Sequence, residues 1–390
     1  MKSFQAYIDN SFSAELRLII QLTQVHVNKD EVSILLKNID WQLFLTLVGK
    51  HRLISHIYRQ IHYLQDFIPQ DIYEEIKQIK LDQSRKSLYY TVYLIKIHQI
   101  LKDKNILHCF FKGPMLSFEL YNDVGYREFR DIDLLVNIDD VEIVKQIIED
   151  LDFTCIYPRI ILSERQRKVN YNISHHYHFI HKAKKIDIEL HWSITNPKSF
   201  FGKEASEIIS ASELVNISNT ELPYISRIDN LVYLAAHGAI HQWYRLFWLK
   251  DFSVIIAQTS PDELKRAWEL SKKLQLANCF IQACQLAHKF YKTEFPDFPG
   301  MDVHKKSLQT IPIKSIRIND LKQRGIVGKI NHVLYRLKLK TDFRYYFDLI
   351  FRLRTHLSDW ELIKLPDNFF YLYYLLRPFL LIYKNFSSKR

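Results

Sequence analysis

Glycine is scarce, with eight in 390 residues, well below the roughly 7% of average usage. No three of them have G-x-G-x-x-G spacing. The Gly-Lys pairs at 49, 202 and 328 have Phe44, Pro197 and Gln323 where a Walker A loop needs its first glycine. Rossmann dinucleotide binding and P-loop NTP binding are therefore excluded. Cysteine is sparse too: Cys109, Cys155, Cys279 and Cys284 form no C-x-x-C pair and sit in apolar contexts. They read as reduced core thiols, and a cytoplasmic protein is expected. The first ten residues place acid and amide where a signal peptide would have its apolar run, so no secretion signal is expected. The longest apolar stretch, residues 369–383, is interrupted by Arg377-Pro378 and is shorter than the roughly 20 residues of a membrane span. It reads as a buried terminal helix, with shallow membrane association as the alternative.

What is abundant is positive charge. The formal net charge is +11, and residues 303–340 hold ten basic side chains against the single acid Asp320. A solvated surface is the plain reading of that stretch, and a groove for RNA, an acidic peptide or a nucleotide is the other.

Three regions follow from periodicity: a helical N-terminal region (1–105), a small mixed-sheet core (106–200) and a helical C-terminal region (201–390). Together they predict an α+β fold in which the sheet core lies between mostly helical regions. Helical spacing runs through residues 12–107, with Pro69 fitting a helix start. Residues 106–111 form a short apolar strand ending at Lys112-Gly113-Pro114, and a helix is expected from Pro114 to Tyr121. Residues 131–136 read as a strand, with Asp139-Asp140 capping a helix over 141–151. Residues 177–181 and 185–194 read as a hairpin in which Ile186, Ile188 and Leu190 alternate with Asp187, Glu189 and His191. Helices are expected over 230–256, 261–291 and much of 330–383.

Asp131 and Asp133 stand two apart in the predicted strand, so both carboxylates leave one face while Ile132 and Leu134 point into the sheet. Carboxylates held that close repel unless cations lie between them. Mg²⁺ prefers such oxygen ligands together with substrate phosphates. A third acid from another strand would help hold two metals, and Asp187 and Glu189 share one face of such a strand. The histidines at 175, 176, 178 and 181 read as a partly buried polar strand, with a zinc site as the alternative. His237 and His241 are one helical turn apart but lack the glutamate of an H-E-x-x-H metalloprotease.

Phe111-Lys112-Gly113, Tyr121, Gly125-x-Arg127-x-x-x-Asp131-Ile-Asp133-Leu-Leu-Val136 and Ile188-Glu189-Leu190-His191-Trp192 occur in this order. So do Trp41, His51, His237-x-x-x-His241-x-Trp243, Trp248-x-x-Asp251, Leu365-Pro366 and Tyr373-Tyr374-Leu-Leu-Arg377-Pro378. Over most of its length the chain thus resembles the uncharacterised nucleotidyltransferase family of the DNA polymerase β-like superfamily. The resemblance implies that Asp131, Asp133 and Glu189 are catalytic and hold two Mg²⁺ or Mn²⁺ ions, Glu189 being preferred over Asp187 because it directly precedes Leu-His-Trp. Lys112, Gly113 and Arg127 would bind the phosphates of a nucleoside triphosphate, and His237, His241 and Asp251 are candidates for a cleft wall. The superfamily's usual Gly-Ser is Gly113-Pro114 here, and proline supplies neither hydroxyl nor N–H. The function so implied is transfer of a nucleoside monophosphate to a hydroxyl or phosphate of a small-molecule or peptide acceptor. RNA-directed, toxin-like transfer and a catalytically inactive nucleotide-binding scaffold are the alternatives.

Overall fold

The computed structural model describes residue 8 and residues 11–64, 67–296, 298–300, 306–318, 326–351 and 354–387. The chain divides into two units that interleave in sequence. A helical unit comprises Met1–Tyr93, Lys112–Phe129 and Ser226–Lys340, and a sheet unit comprises Leu94–Phe111, Arg130–Ile225 and Thr341–Arg390. The fold is α+β.

The sheet unit holds seven strands: β1 (His108–Phe111), β2 (Asp131–Val136), β3 (Thr154–Tyr157), β4 (His176–His181), β5 (Ile186–His191), β6 (Glu213–Ile217) and β7 (Thr220–Tyr224). Their order is β3-β4-β5-β2-β1-β7-β6. β2 pairs with β5 and β1 with β7 in parallel, and the remaining neighbours are antiparallel. Ile132 and Leu134 of β2 lie directly beside Ile188 and Leu190 of β5, and all four are buried. The helix Val141–Glu149 packs against β5 and buries Val144, Ile147 and Ile148, the i, i+3, i+4 stripe that a sheet-facing helix needs. Ahead of that helix lies a 3₁₀ turn, Ile138–Asp140, and Asp140 makes no side-chain cap. Asp139-Asp140 thus marks the helix start without capping it, because Asp140 is itself in the helical region of φ/ψ (−91°, −10°) and not the extended one a cap requires.

The β6–β7 hairpin was not anticipated in the region expected to be helical. Its turn places Ser218 and Asn219 at φ 51° and 61°, the two successive positive values of a tight two-residue hairpin. Pro223 in β7 and the exposed Glu213 and Leu214 in β6 obscure the alternation that would have revealed it.

In the helical unit the expected 230–256 helix is two helices, Arg227–Ile240 and Leu246–Ala257. Gln242 and Trp243 adopt φ 53° and 52°, and the fully buried Trp243 ring folds back onto Gly238. The indole N–H donates to Gln282 Oε1 at 3.0 Å, so ring and polar edge are both satisfied. The expected 261–291 helix likewise breaks into Pro261–Lys273 and Ala277–Tyr291, with Gln275 at φ 58°.

At the C-terminus the helix Leu372–Ser387 departs from the buried helix expected there. Tyr373 and Leu380 are buried, whereas Leu375, Phe379, Ile382 and Tyr383 are exposed. Tyr373 joins Trp360 and Phe370 in a small core. Among the described residues no helix is long and apolar enough to cross a membrane.

A methyl added at Gly238 would lie 2.4 Å from the Trp243 ring. Gly238→Ala should therefore destabilise the protein by about 1–3 kcal/mol through overpacking, outweighing the helix propensity that alanine contributes. Urea unfolding measures this, and a stabilised variant would show that Trp243 is not held against Gly238.

Candidate active site

The parallel β2–β5 register sets Asp131 beside Asp187 and Asp133 beside Glu189. Because side chains alternate along a strand, all four carboxylates belong to one face of the sheet, opposite the Ile132, Leu134, Ile188 and Leu190 face. The antiparallel β4 adds His178 opposite Glu189 and His176 opposite His191 on that same face. The Asp133 side chain is buried, Glu189 is about one-fifth exposed, and His191 is 2% exposed. His191 Nε2 lies 3.3 Å from Asp133 Oδ1 and 3.2 Å from Glu189 Oε2. Burial alone would lower the His191 pKa, but the hydrogen bonds and charges of Asp133 and Glu189 prevail and raise it. His191 thus lies at close range to both carboxylates. His176 Nε2 stands 3.7 Å from the other Glu189 oxygen, and His178 Nε2 3.3 Å from Asp187 Oδ1. His178 is raised chiefly by that hydrogen bond.

Asp133, Glu189 and His191 each offer a ligand atom within 4.8 Å of the other two, and so do His175, His176 and His191. Convergent carboxylate oxygens suit a divalent cation. The donor chemistry therefore fits the metal that the sequence leads one to expect. The four clustered histidines separate in the structure. His175 and His176 turn toward His191, His178 toward Asp187, and His181 packs against Phe153 at 5.2 Å between ring centres. His191 is the residue whose part the sequence reading missed. It continues the 187, 189, 191 alternation, which was the available signal.

Lys112, Gly113, Arg127, His237, His241 and Asp251 all belong to the helical unit. Lys112 adopts φ 57°, ψ −144°, a conformation costly for any residue with a Cβ, and Gly113 follows at φ 49°. The helix Gly113–Tyr121 that begins there has Pro114 in its first turn and no side-chain cap. Arg127 is not a surface charge. It is 5% exposed, its Nε lies 2.6 Å from Asp251 Oδ2, and its guanidinium covers the Phe247 ring at 4.8 Å. Tyr121 donates its hydroxyl to Asp251 Oδ1 at 2.9 Å, and the Arg127 N–H donates to Ser117 Oγ.

His51 accepts the Leu246 N–H through Nδ1 at 3.1 Å, anchoring the first turn of the helix that carries Asp251. Burial, reinforced by Lys50 and Arg245, lowers the His51 pKa to about 3, so the ring is the neutral acceptor that this bond requires. His237, His241 and Trp248 form a cluster of rings with centres 4.7–5.3 Å apart. His241 is lowered to about 3, first by burial and then by the positive charges of Lys112, Arg336, His332 and Arg245. In the basic stretch, Lys305, Lys322 and Arg324 lie outside the described residues. Lys314, Arg317 and Lys338 are exposed and Lys340 is buried.

Acidic and imidazole groups thus converge on one face of a mixed sheet. Residues 37–292 match the family described as uncharacterised nucleotidyltransferase, and the chain belongs to that family. Nucleotidyl transfer is the general function this membership supports. No curated protein matches the chain.

Arg127 and Asp251 are a buried pair, so removing one partner strands the other. Asp251→Ala should cost about 3–5 kcal/mol, while the double substitution Arg127→Met with Asp251→Leu should cost clearly less than the two single changes together. A double-mutant cycle by denaturant unfolding checks this, and simple additivity would show that the pair is not coupled.

Proposed function

We propose that this protein is a metal-dependent nucleotidyltransferase that moves a nucleoside monophosphate from a nucleoside triphosphate to a hydroxyl or phosphate of a small-molecule or peptide acceptor, in the cytoplasm. The observation that carries the reading is the β2–β5 register, which brings Asp133 and Glu189 together from strands more than fifty residues apart. In this reading Asp131, Asp133 and Glu189 hold two Mg²⁺ or Mn²⁺ ions. Such ions, when bound, neutralise charge developing on the α-phosphate and the leaving oxygen and lower the pKa of an acceptor hydroxyl.

The acceptor oxygen forms its bond to the α-phosphorus as the bond to the β-phosphate oxygen breaks, and pyrophosphate leaves with that electron pair. In this reading Glu189, the more exposed of the two neighbouring acids, receives the acceptor proton. Phosphate contact falls to Lys112 and to the N–H groups of Gly113 and of the residues after Pro114, since an uncapped helix start favours an anion. The Asp251 ion pair supports a different part for Arg127, that of fixing the segment that follows the helix Gly113–Tyr121. His237, His241 and Asp251 remain candidates for a cleft wall in this reading.

The core over 106–200 carries the chemistry in this reading, and the regions 1–105 and 201–390 support it. Pro114 favours a second reading, a nucleotide-binding scaffold without turnover, because it removes an N–H from the first turn of the phosphate-binding helix.

Label placed at the α-phosphate should pass to an acceptor fraction, and label at the γ-phosphate should not. Asp133→Asn and Glu189→Gln should each lower that transfer by about a hundredfold or more, with Asp187→Asn doing less. Both should also abolish the rise in melting temperature that Mg²⁺ and a nucleoside triphosphate produce together. Unchanged nucleotide-dependent stabilisation in the Asp133→Asn, Glu189→Gln double variant would refute the assignment. Stabilisation of the native protein without transfer to any fraction would favour the scaffold.

A further inference from the structure

We propose that His191 is itself a metal ligand, and that it makes this site favour first-row transition ions, Mn²⁺ among them, over Mg²⁺. The proposal rests on the reading of Asp133 and Glu189 as metal-holding residues and adds a nitrogen donor to them. Three observations carry it.

The first is direction. His191 Nε2 faces one oxygen of each carboxylate, at 3.3 and 3.2 Å. Two ligands bound to one ion at about 2.0–2.2 Å stand about 2.8–3.6 Å apart at octahedral or tetrahedral angles. His191 Nε2 therefore already stands from each of these oxygens at the spacing of a shared coordination sphere, and all three donors lie within 4.8 Å of one another.

The second is the other ring nitrogen. His191 Nδ1 lies 3.3 Å from the Ser193 carbonyl oxygen, to which it can only donate. That leaves Nε2 as the nitrogen available to a cation. A metal-bound histidine is typically oriented in this way, by a second hydrogen bond to a backbone carbonyl or carboxylate.

The third is immobility. His191 is 2% exposed and the Phe111 ring meets it edge-on at 4.9 Å, so the imidazole is held in place before any ion arrives. Behind Glu189 stand further imidazoles, His176 with Nε2 3.7 Å from Glu189 Oε1 and His175 with Nε2 3.2 Å from His176 Nδ1.

The consequence is selectivity. Mg²⁺ is a hard ion that takes oxygen ligands, whereas imidazole suits the later divalent ions, whose affinities rise from Mn²⁺ onward. Two carboxylates with one imidazole keep the oxygen-rich character that Mn²⁺ accepts and add a donor that Mg²⁺ scarcely uses. The rival account is that His191 only balances the charge of two buried acids, in which case it would lie outside the coordination sphere.

The test uses the full chain with Mn²⁺ as the probe. Pulsed electron paramagnetic resonance of bound Mn²⁺ should show hyperfine coupling to an imidazole nitrogen, and isotopic labelling of histidine nitrogen should change that coupling. Competition titration should show Mn²⁺ bound at least about tenfold more tightly than Mg²⁺. His191→Asn should abolish the coupling and weaken Mn²⁺ binding about ten- to a hundredfold with a smaller effect on Mg²⁺. His176→Ala should leave the coupling in place. If His191→Asn does not fold, the coupling in the unmodified protein together with its persistence in His176→Ala decides the matter. Bound Mn²⁺ without nitrogen coupling, or equal affinity for the two ions, would overturn the proposal while leaving the nucleotidyltransferase reading intact. Failure of both ions to bind, with or without a nucleoside triphosphate, would overturn both.

Discussion

The parallel pairing of β2 with β5 is the constraint on which the proposed chemistry depends. A sheet places every second side chain on the same face, so a slip of one residue would move every acid to the opposite side. The buried Ile132, Leu134, Ile188 and Leu190 prevent that slip, because it would carry them out of the core and carboxylates into it. The hydrophobic face therefore sets the geometry of the polar one. Holding Asp133 and Glu189 together is electrostatically unfavourable, and His191 relieves it at hydrogen-bond distance from both. In the proposed reading the same three groups would also seat a cation, so that charge balance in the protein and ligation of an ion would be two uses of one arrangement.

The helical unit rests on another polar device. His51 caps the helix Leu246–Ala257, that helix presents Asp251, and Asp251 fixes Arg127 and Tyr121. These residues come from three distant stretches of chain, yet each satisfies a group that burial would otherwise leave at a cost of about 1–3 kcal/mol or more. Ser117 continues the chain of bonds, receiving the Arg127 N–H and donating its own hydroxyl to the Asp123 carbonyl. Such a network makes the path from Gly113 to Arg127 rigid, which is consistent with the Lys112 backbone being kept in an unfavourable conformation.

Much of this was legible in the sequence wherever the information is local. The alternation of Ile186, Ile188 and Leu190 announced β5, Pro69 announced the helix Gln70–Asp103, and the Asp-x-Asp spacing announced two acids on one strand face. Signals that depend on distant partners were not legible. Nothing near Arg127 indicates that its partner is Asp251, 124 residues later. The Arg127 charge lies in a buried pair with that residue. The break between Ile240 and Leu246 arises from the fit of Trp243 onto Gly238, which periodicity cannot register, since the residues on either side are equally good helix formers. The β6–β7 hairpin was hidden because Pro223 argues against a strand until β1 is seen beside it. His191 illustrates the middle case: its position in the alternation was plain, but its convergence with Asp133 required the strand register.

The most direct test of the account is a crystal structure of the full chain with Mn²⁺ and a nucleoside triphosphate analogue that resists transfer at the α-phosphate, phased or checked by the anomalous signal of manganese. The account predicts anomalous peaks within bonding distance of Asp131, Asp133 and Glu189, with the triphosphate oxygens completing their coordination. Manganese absent from those carboxylates, or a nucleotide bound with its phosphates away from them, would contradict it.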